Sequence, residues 1–128
     1  MAHLTSEERR SRSLRVLAEM DLGIPPEEFV ERFIHDYGAV GEYAVDFAIG
    51  EVWSRPGLSR RDRSLITIAF LVTLQSISAL RFHLGVGLSH GLKSSEVEEI
   101  MVQLTGYAGF PRAIEGMRVA RETFAVQG

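Results

Sequence analysis

The stretch "SRRDRSLITIAFLVTL", from Ser59 to Leu74, decides the fold. Ser59 and Asp62 have the spacing of a helix N-terminal cap, in which a side-chain oxygen accepts a hydrogen bond from the first turn. Beyond Ser64 the segment is apolar on nearly every side, although its β-branched residues would also suit a strand. The cap and the length favour a helix, and an all-round apolar surface predicts that this helix is central and buried.

Three more helices are predicted before this stretch. The first opens with Thr5 and Glu8 in capping-box spacing and closes at Gly23. A pair of prolines, which suit a first helical turn, leads into the second helix at residues 27–38. The third runs through residues 40–53 with one apolar stripe at helical spacing. That stripe consists of Tyr43, Phe47, Gly50 and Ser54.

Three helical segments follow the central stretch. The segment "SALRFHLGVGLSHG" ends at Gly91, and the next one has Ser95 and Glu98 as its cap. The last runs over residues 112–125, and no segment is convincing as a strand. The sequence therefore predicts an all-α protein of six or seven helices in a single domain, residues 1–128. Because so small a domain must cover a helix that is apolar all round, we also expect a homo-oligomer.

Composition excludes several classes of function. The 128 residues carry a formal net charge of −3, whereas a nucleic-acid binder needs a basic excess. There is no cysteine, so neither a disulfide nor thiol redox chemistry is possible. The longest apolar run, Ile68 to Val72, is far shorter than the ~20 residues that cross a bilayer. With no apolar leader at the start, we expect a cytoplasmic protein that does not bind membranes.

Two ionisable residues stand out as candidates for chemistry. His83 shares a helical face with Leu80 and Leu84, and an imidazole there is either a hydrogen-bonded core residue or a group for proton transfer. Glu51 lies four residues before Arg55, which suits a helix-end salt bridge or a carboxylate and an arginine that face a substrate.

The remaining candidates are weaker. Gln103 and Tyr107 lie one turn apart and could bind a small ligand, although helix packing explains them as well. Arg63 belongs to a charged helix start that is ordinarily solvated, and His90 suits the negative end of a helix dipole. No phosphate-binding loop, HExxH, GxSxG or paired metal-ligand motif is present, so we expect neither a metal nor a cofactor.

Several of these segments together resemble the carboxymuconolactone decarboxylase family, in its γ-carboxymuconolactone decarboxylase branch. The most specific are "GEVWSRPGL", "RSLITIA", "LRFH" followed by "HGL", and "YAGFP". The resemblance covers roughly residues 43–120, so we take residues 40–128 as the family core and residues 1–39 as N-terminal helices. It implies an all-α fold of helical hairpins that assembles into trimers or hexamers.

The family has a second branch, similar to the alkylhydroperoxidase D proteins, which uses a C-x-x-C-x-x-x-H redox centre. On this chain the two cysteine positions are Ser76 and Ala79, and the histidine is His83. Because neither position can form a thiolate, peroxidase chemistry is excluded.

The decarboxylase branch acts on a carboxylated lactone in aromatic catabolism without a metal or an organic cofactor. The resemblance implies His83 as general acid and Glu51 as the residue that orients it or manages its proton. It further implies that Arg55 or Arg63 lies near the negative charge of the substrate. The implied pocket wall consists of Trp53, Gln103 and Tyr107.

This chain departs from that branch close to the histidine. Acidic residues before the L-x-x-H are replaced by Ser78 and Ala79, an arginine two residues after it by Gly85, and an Asn-Asn-Gly loop by "SHG" at 89–91. These changes should alter the charge of the pocket and its substrate. Two alternatives therefore stay open: another proton-transfer reaction, such as isomerisation or dehydration, or a non-catalytic oligomeric binding protein.

Overall fold

The computed structural model describes residues 3–127, with side chains as far as residue 126, and it contains no strand among these residues. The fold is all-α, as predicted. The elements are α1 (Ser6–Met20), α2 (Pro26–Tyr43), a π-helix (Ala44–Trp53), α3 (Arg60–Leu74), α4 (Ile77–Ser89), α5 (Ser94–Leu104) and α6 (Phe110–Gln127). Their contacts divide into two compact units, with the boundary between Leu58 and Ser59. Within the described range, no helix combines the length and the apolarity needed to cross a bilayer.

In the first unit, α1 packs against both α2 and the π-helix. The predicted capping box is confirmed: Thr5 Oγ1 accepts from the Glu8 amide at 3.1 Å, and Glu8 Oε2 accepts from the Thr5 amide at 2.9 Å. The helix ends at Met20 rather than at Gly23, because Asp21 already takes a left-handed φ of 52° and stops the helical ladder. The capped first turn includes the backbone of Arg9, whose amide donates to the Thr5 carbonyl.

The segment after α1 confirms one predicted helix boundary and departs from the predicted apolar stripe. Gly38, the predicted end of the second helix, has a φ of 58° and interrupts α2 there. Tyr43 at the end of α2 is exposed, and in the π-helix that follows Phe47 is exposed while Val45 and Gly50 are buried. The predicted apolar stripe is therefore right for Gly50 and wrong for Tyr43 and Phe47, because hydrogen bonds to the fifth residue widen the turn and move successive side chains away from α-helical positions.

In the second unit, α3 packs against α4, α5 and α6. Its predicted cap is present, since Ser59 Oγ accepts from the Asp62 amide at 3.0 Å. Ile68 and Val72 lie in the core, as predicted, whereas a single chain leaves one face of the helix uncovered. That face carries Ile66, Phe70 and Leu74, which are 54%, 62% and 56% exposed.

A two-residue turn joins α3 to α4. Gln75 takes a left-handed φ of 58°, and the Ser76 amide donates to the Leu71 carbonyl at 3.1 Å, which closes the end of α3. This turn folds α4 back onto α3 and places Leu80 and Leu84 in the same core. The position of His83 on α4 follows from that packing.

The cap of α5 lies two residues before the predicted one. Glu96 Oε1 accepts from the Lys93 amide at 3.0 Å, so the helix begins at Ser94 instead of after a cap formed by Ser95 and Glu98.

Candidate active site

His83 lies on α4 between buried turns of the helix. Leu80 and Leu84 on either side of it are fully buried, and the imidazole itself is half-buried with its Nδ1 atom enclosed. The ring meets Phe82 edge to face, with centroids 5.1 Å apart and an angle of 89° between the planes. One ring nitrogen is thus removed from solvent by the packing of α4.

Burial, and after it the positive charge of His90, lowers the pKa of His83 to about 4. The imidazole is therefore neutral near pH 7 in the protein alone. At this lowered pKa the imidazole takes up a proton less readily than an ordinary histidine, and it must take one up before it can act as an acid.

His90 contributes more than its position at a helix end suggested. Its Nδ1 lies 2.8 Å from Oγ of Ser64, a fully buried side chain on α3, so the hydrogen bond ties the end of α4 to α3. His83 and His90 are seven residues apart, or about two helical turns, which places them on one side of α4. The seven-residue spacing could have indicated from the sequence that His83 and His90 lie close together. Nothing in the sequence indicated the contact between His90 and Ser64.

Glu51 lies in the π-helix of the first unit and pairs with an arginine that the sequence did not single out. Arg9 Nε and Glu51 Oε2 are 3.1 Å apart, and the two side chains are 32% and 25% exposed. Arg9 belongs to α1, more than forty residues before Glu51, so no helical spacing could reveal the contact. Arg55, the predicted neighbour of Glu51, is exposed in the turn after the π-helix.

A second ion pair lies beside the first. Arg10 donates to both carboxylate oxygens of Asp46, from Nε at 2.7 Å and from a terminal nitrogen at 3.2 Å, and this hydrogen bonding raises the pKa of Arg10. At Gly50 the backbones of α1 and the π-helix are in close contact: a Cβ on this residue would be 2.3 Å from the carbonyl oxygen of Arg9. The absence of a side chain at residue 50 is what lets α1 approach the π-helix so closely.

The other predicted site residues are distributed over both units. Trp53 ends the π-helix and Arg63 lies in the first turn of α3, and both are half-buried. Gln103 and Tyr107 are exposed, Tyr107 by 83%, so the second unit does not enclose them by itself. The first unit thus holds Glu51, Trp53 and Arg55. The second holds His83, Arg63, Gln103 and Tyr107.

A groove of about 480 Å³ lies in the second unit, between the start of α5 and the end of α6. None of the predicted site residues lines it. Its lining consists of Ser94, Ser95, Val97, Glu98, Met117, Ala120, Arg121, Phe124 and Ala125. Over residues 3–127, the His, Asp and Glu side chains form no group of three suited to holding a metal ion.

The helices and the absence of cysteine define a small all-α protein without thiol chemistry. Residues 38–122 match the sequence model described as the Carboxymuconolactone decarboxylase family. The chain belongs to this family, which confirms the resemblance described above.

Two curated relatives indicate the chemistry. The 4-carboxymuconolactone decarboxylase of Acinetobacter baylyi is 36% identical over 125 residues, which cover 94% of this chain and 90% of the relative. The nitrosuccinic acid decarboxylase of Metarhizium robertsii is 33% identical over 82 residues, which cover 64% of this chain and 57% of the relative. Both are named decarboxylases, and the present chain is an enzyme of the carboxy-lyase type.

Proposed function

We propose that this protein decarboxylates γ-carboxymuconolactone, or a closely similar small carboxylated lactone, with His83 as general acid. The observation that carries the proposal is the similarity to the Acinetobacter baylyi enzyme, which extends over nearly the whole of both chains. A half-buried imidazole with one enclosed nitrogen, on a helix held in the core, supports the choice of His83.

The reaction needs little beyond a shaped and charged pocket. The bond between the ring carbon and the carboxylate breaks, CO₂ leaves, and the electron pair passes into the unsaturated lactone, whose carbonyl oxygen holds it as a dienolate. Protonated His83 then delivers its proton to carbon and returns to the neutral form. The protein must bind the carboxylate, exclude water and stabilise the dienolate before protonation.

The low pKa of His83 couples proton uptake to substrate binding. A neutral imidazole at pH 7 cannot donate the proton, but a substrate carboxylate close to it favours the imidazolium. In this proposal Glu51 orients His83 or manages its proton, while Arg55 and Arg63 bind negative charge on the substrate. Trp53, Gln103 and Tyr107 form the wall of the pocket.

Incubation of the purified protein with γ-carboxymuconolactone in D₂O tests the proposal. We expect CO₂ release together with a product that carries one carbon-bound deuterium, since the proton comes from an exchangeable group. Nitrosuccinate is the second compound to test, because a nitro group can also hold the electron pair that CO₂ leaves behind. Conversion without CO₂ would favour isomerisation or dehydration, and binding without conversion would favour a binding protein.

We also propose that the protein is a homo-oligomer, either a trimer or a hexamer, built on the exposed apolar face of α3. Ile66, Phe70 and Leu74 repeat every four residues and leave more than half of each side chain in contact with water. Sedimentation velocity should show a species of at least three chains. Phe70→Glu should dissociate it, whereas Val126→Glu, at an equally apolar position that is 89% exposed on α6, should not. A monomeric wild-type protein would contradict the proposal.

A further inference from the structure

We propose that Arg9 of α1 is a positioning residue for the carboxylate of Glu51, so that a helix preceding the family-matching segment completes the active site. The inference rests on the function proposed for Glu51 above. It goes beyond that function because the family match begins at residue 38, and Arg9 lies well before it.

Arg9 and Glu51 form a partly buried ion pair. Arg9 Nε and Glu51 Oε2 are 3.1 Å apart, and both atoms are inaccessible to solvent. Opposite charges at this distance attract more strongly in a partly buried setting than on the open surface, because water screens them less. The guanidinium therefore favours one placement of the carboxylate over the others that its rotamers allow.

The contact positions the carboxylate by charge rather than by a directional hydrogen bond. Within residues 3–127, neither Arg9 Nε nor Glu51 Oε2 has a well-aligned hydrogen-bond partner, although the two atoms lie within ion-pair distance. A carboxylate that orients an acid must be held in one position, and the charge of Arg9 provides that.

The backbone holds Arg9 at a fixed distance from the π-helix. The amide of Arg9 donates to the Thr5 carbonyl at 3.0 Å, within the capped first turn of α1. On the opposite side, the carbonyl of Arg9 faces Gly50, where even a methyl group would not fit. The residue before Glu51 therefore fixes the distance between the backbone of Arg9 and the backbone of its partner.

The neighbouring pair provides a contrast on the same two elements. Arg10 makes two directional hydrogen bonds to Asp46, which is suited to docking α1 on the π-helix. Arg9 makes none of that kind to Glu51, and its contact is a single ion pair. This difference assigns attachment of the helix to Arg10 and control of the carboxylate to Arg9.

Arg9→Gln and Arg10→Gln form a matched pair of variants, since each removes one charge from α1 and breaks one ion pair to the π-helix. With γ-carboxymuconolactone as substrate, we expect Arg9→Gln to lower kcat by about 10-fold to 100-fold, because the carboxylate loses its position. Arg10→Gln should keep kcat within about 3-fold of wild type in the folded protein, since it leaves Glu51 paired, although the loss of two docking hydrogen bonds should lower the thermal midpoint. Arg9→Lys should restore part of the loss, and Arg9→Gln combined with Glu51→Gln should be no slower than Glu51→Gln alone.

A second readout does not depend on turnover. In protein labelled with ¹³C-glutamate, the Cδ signal of Glu51 is assigned by its loss in Glu51→Gln. We expect Arg9→Gln to displace this signal at pH 7, Arg9→Lys to return it towards the wild-type position, and Arg10→Gln to leave it in place. If wild type releases no CO₂ from the lactone, the proposed function fails, and this signal still decides whether Arg9 positions Glu51. Equal loss of kcat in both arginine variants, or a Glu51 signal that Arg9→Gln does not move, would overturn the inference.

Discussion

His83→Gln is expected to slow the release of CO₂ from γ-carboxymuconolactone by about 10²-fold to 10⁴-fold, the range that positioned general acids contribute. Glutamine keeps a polar side chain of similar length but cannot carry a proton to carbon. The loss should appear in kcat, since the proton is delivered after the substrate is bound. The thermal midpoint and the state of assembly should stay near those of wild type, because the half-buried ring is not among the fully buried side chains of the core.

His35→Gln is the matched control for this variant. The same substitution is made on α2, where the side chain of His35 is 87% exposed, and no loss of rate is expected. An unfolded or much less stable His83→Gln protein would instead favour a hydrogen-bonded core histidine, the alternative that the sequence left open. Unchanged turnover in a folded variant would remove His83 from the mechanism.

The second large effect is on stability at acidic pH. The pKa of His83 falls from the ordinary 6.5 to about 4 in the folded protein, mainly through burial. Between these values the unfolded chain binds a proton that the folded chain does not, so stability decreases as the pH falls from 6.5 to 4. A shift of this size corresponds to about 3 kcal/mol of unfolding free energy, at 1.36 kcal/mol for each pKa unit.

Urea unfolding of wild type and His83→Gln at pH 7, 5.5 and 4 measures this effect. The carboxylates contribute to both curves, so the difference between the two proteins isolates the histidine. We expect His83→Gln to lose less stability than wild type on acidification, while His35→Gln follows the wild-type curve. Parallel curves for wild type and His83→Gln would show that the folded protein protonates His83 as easily as the unfolded chain does.

Local features of the chain were predictable because neighbours in sequence determine them. The cap at Thr5, the cap at Ser59 and the break at Gly38 all follow from side-chain or backbone preferences within a few residues. The same holds for the helical character of residues 60–74, where cap and length outweighed β-branching. The family resemblance rested on similarly local motifs and was confirmed.

Other features could not be predicted from the helical spacing of apolar residues alone. In the π-helix, Phe47 is exposed while Val45 is buried, because a different hydrogen-bond register changes which residues lie on one side of the helix. The exposed face of α3 arose because the helices packed on it cover only part of its circumference. Both outcomes are compatible with the sequence pattern, because the pattern shows which residues are apolar but not which elements pack against them.

The residues alone were sufficient for the all-α class, the starts of α1 and α3, the exclusion of thiol chemistry and the choice of His83 and Glu51 as candidates. These properties follow from composition and from spacings of a few residues, over which the helical backbone has nearly constant geometry. Only the tertiary structure paired Arg9 with Glu51 and Ser64 with His90, and the pKa of His83 is lowered mainly by the burial that this packing produces. Such contacts join residues 26 or more positions apart, so they exist only once the helices have packed.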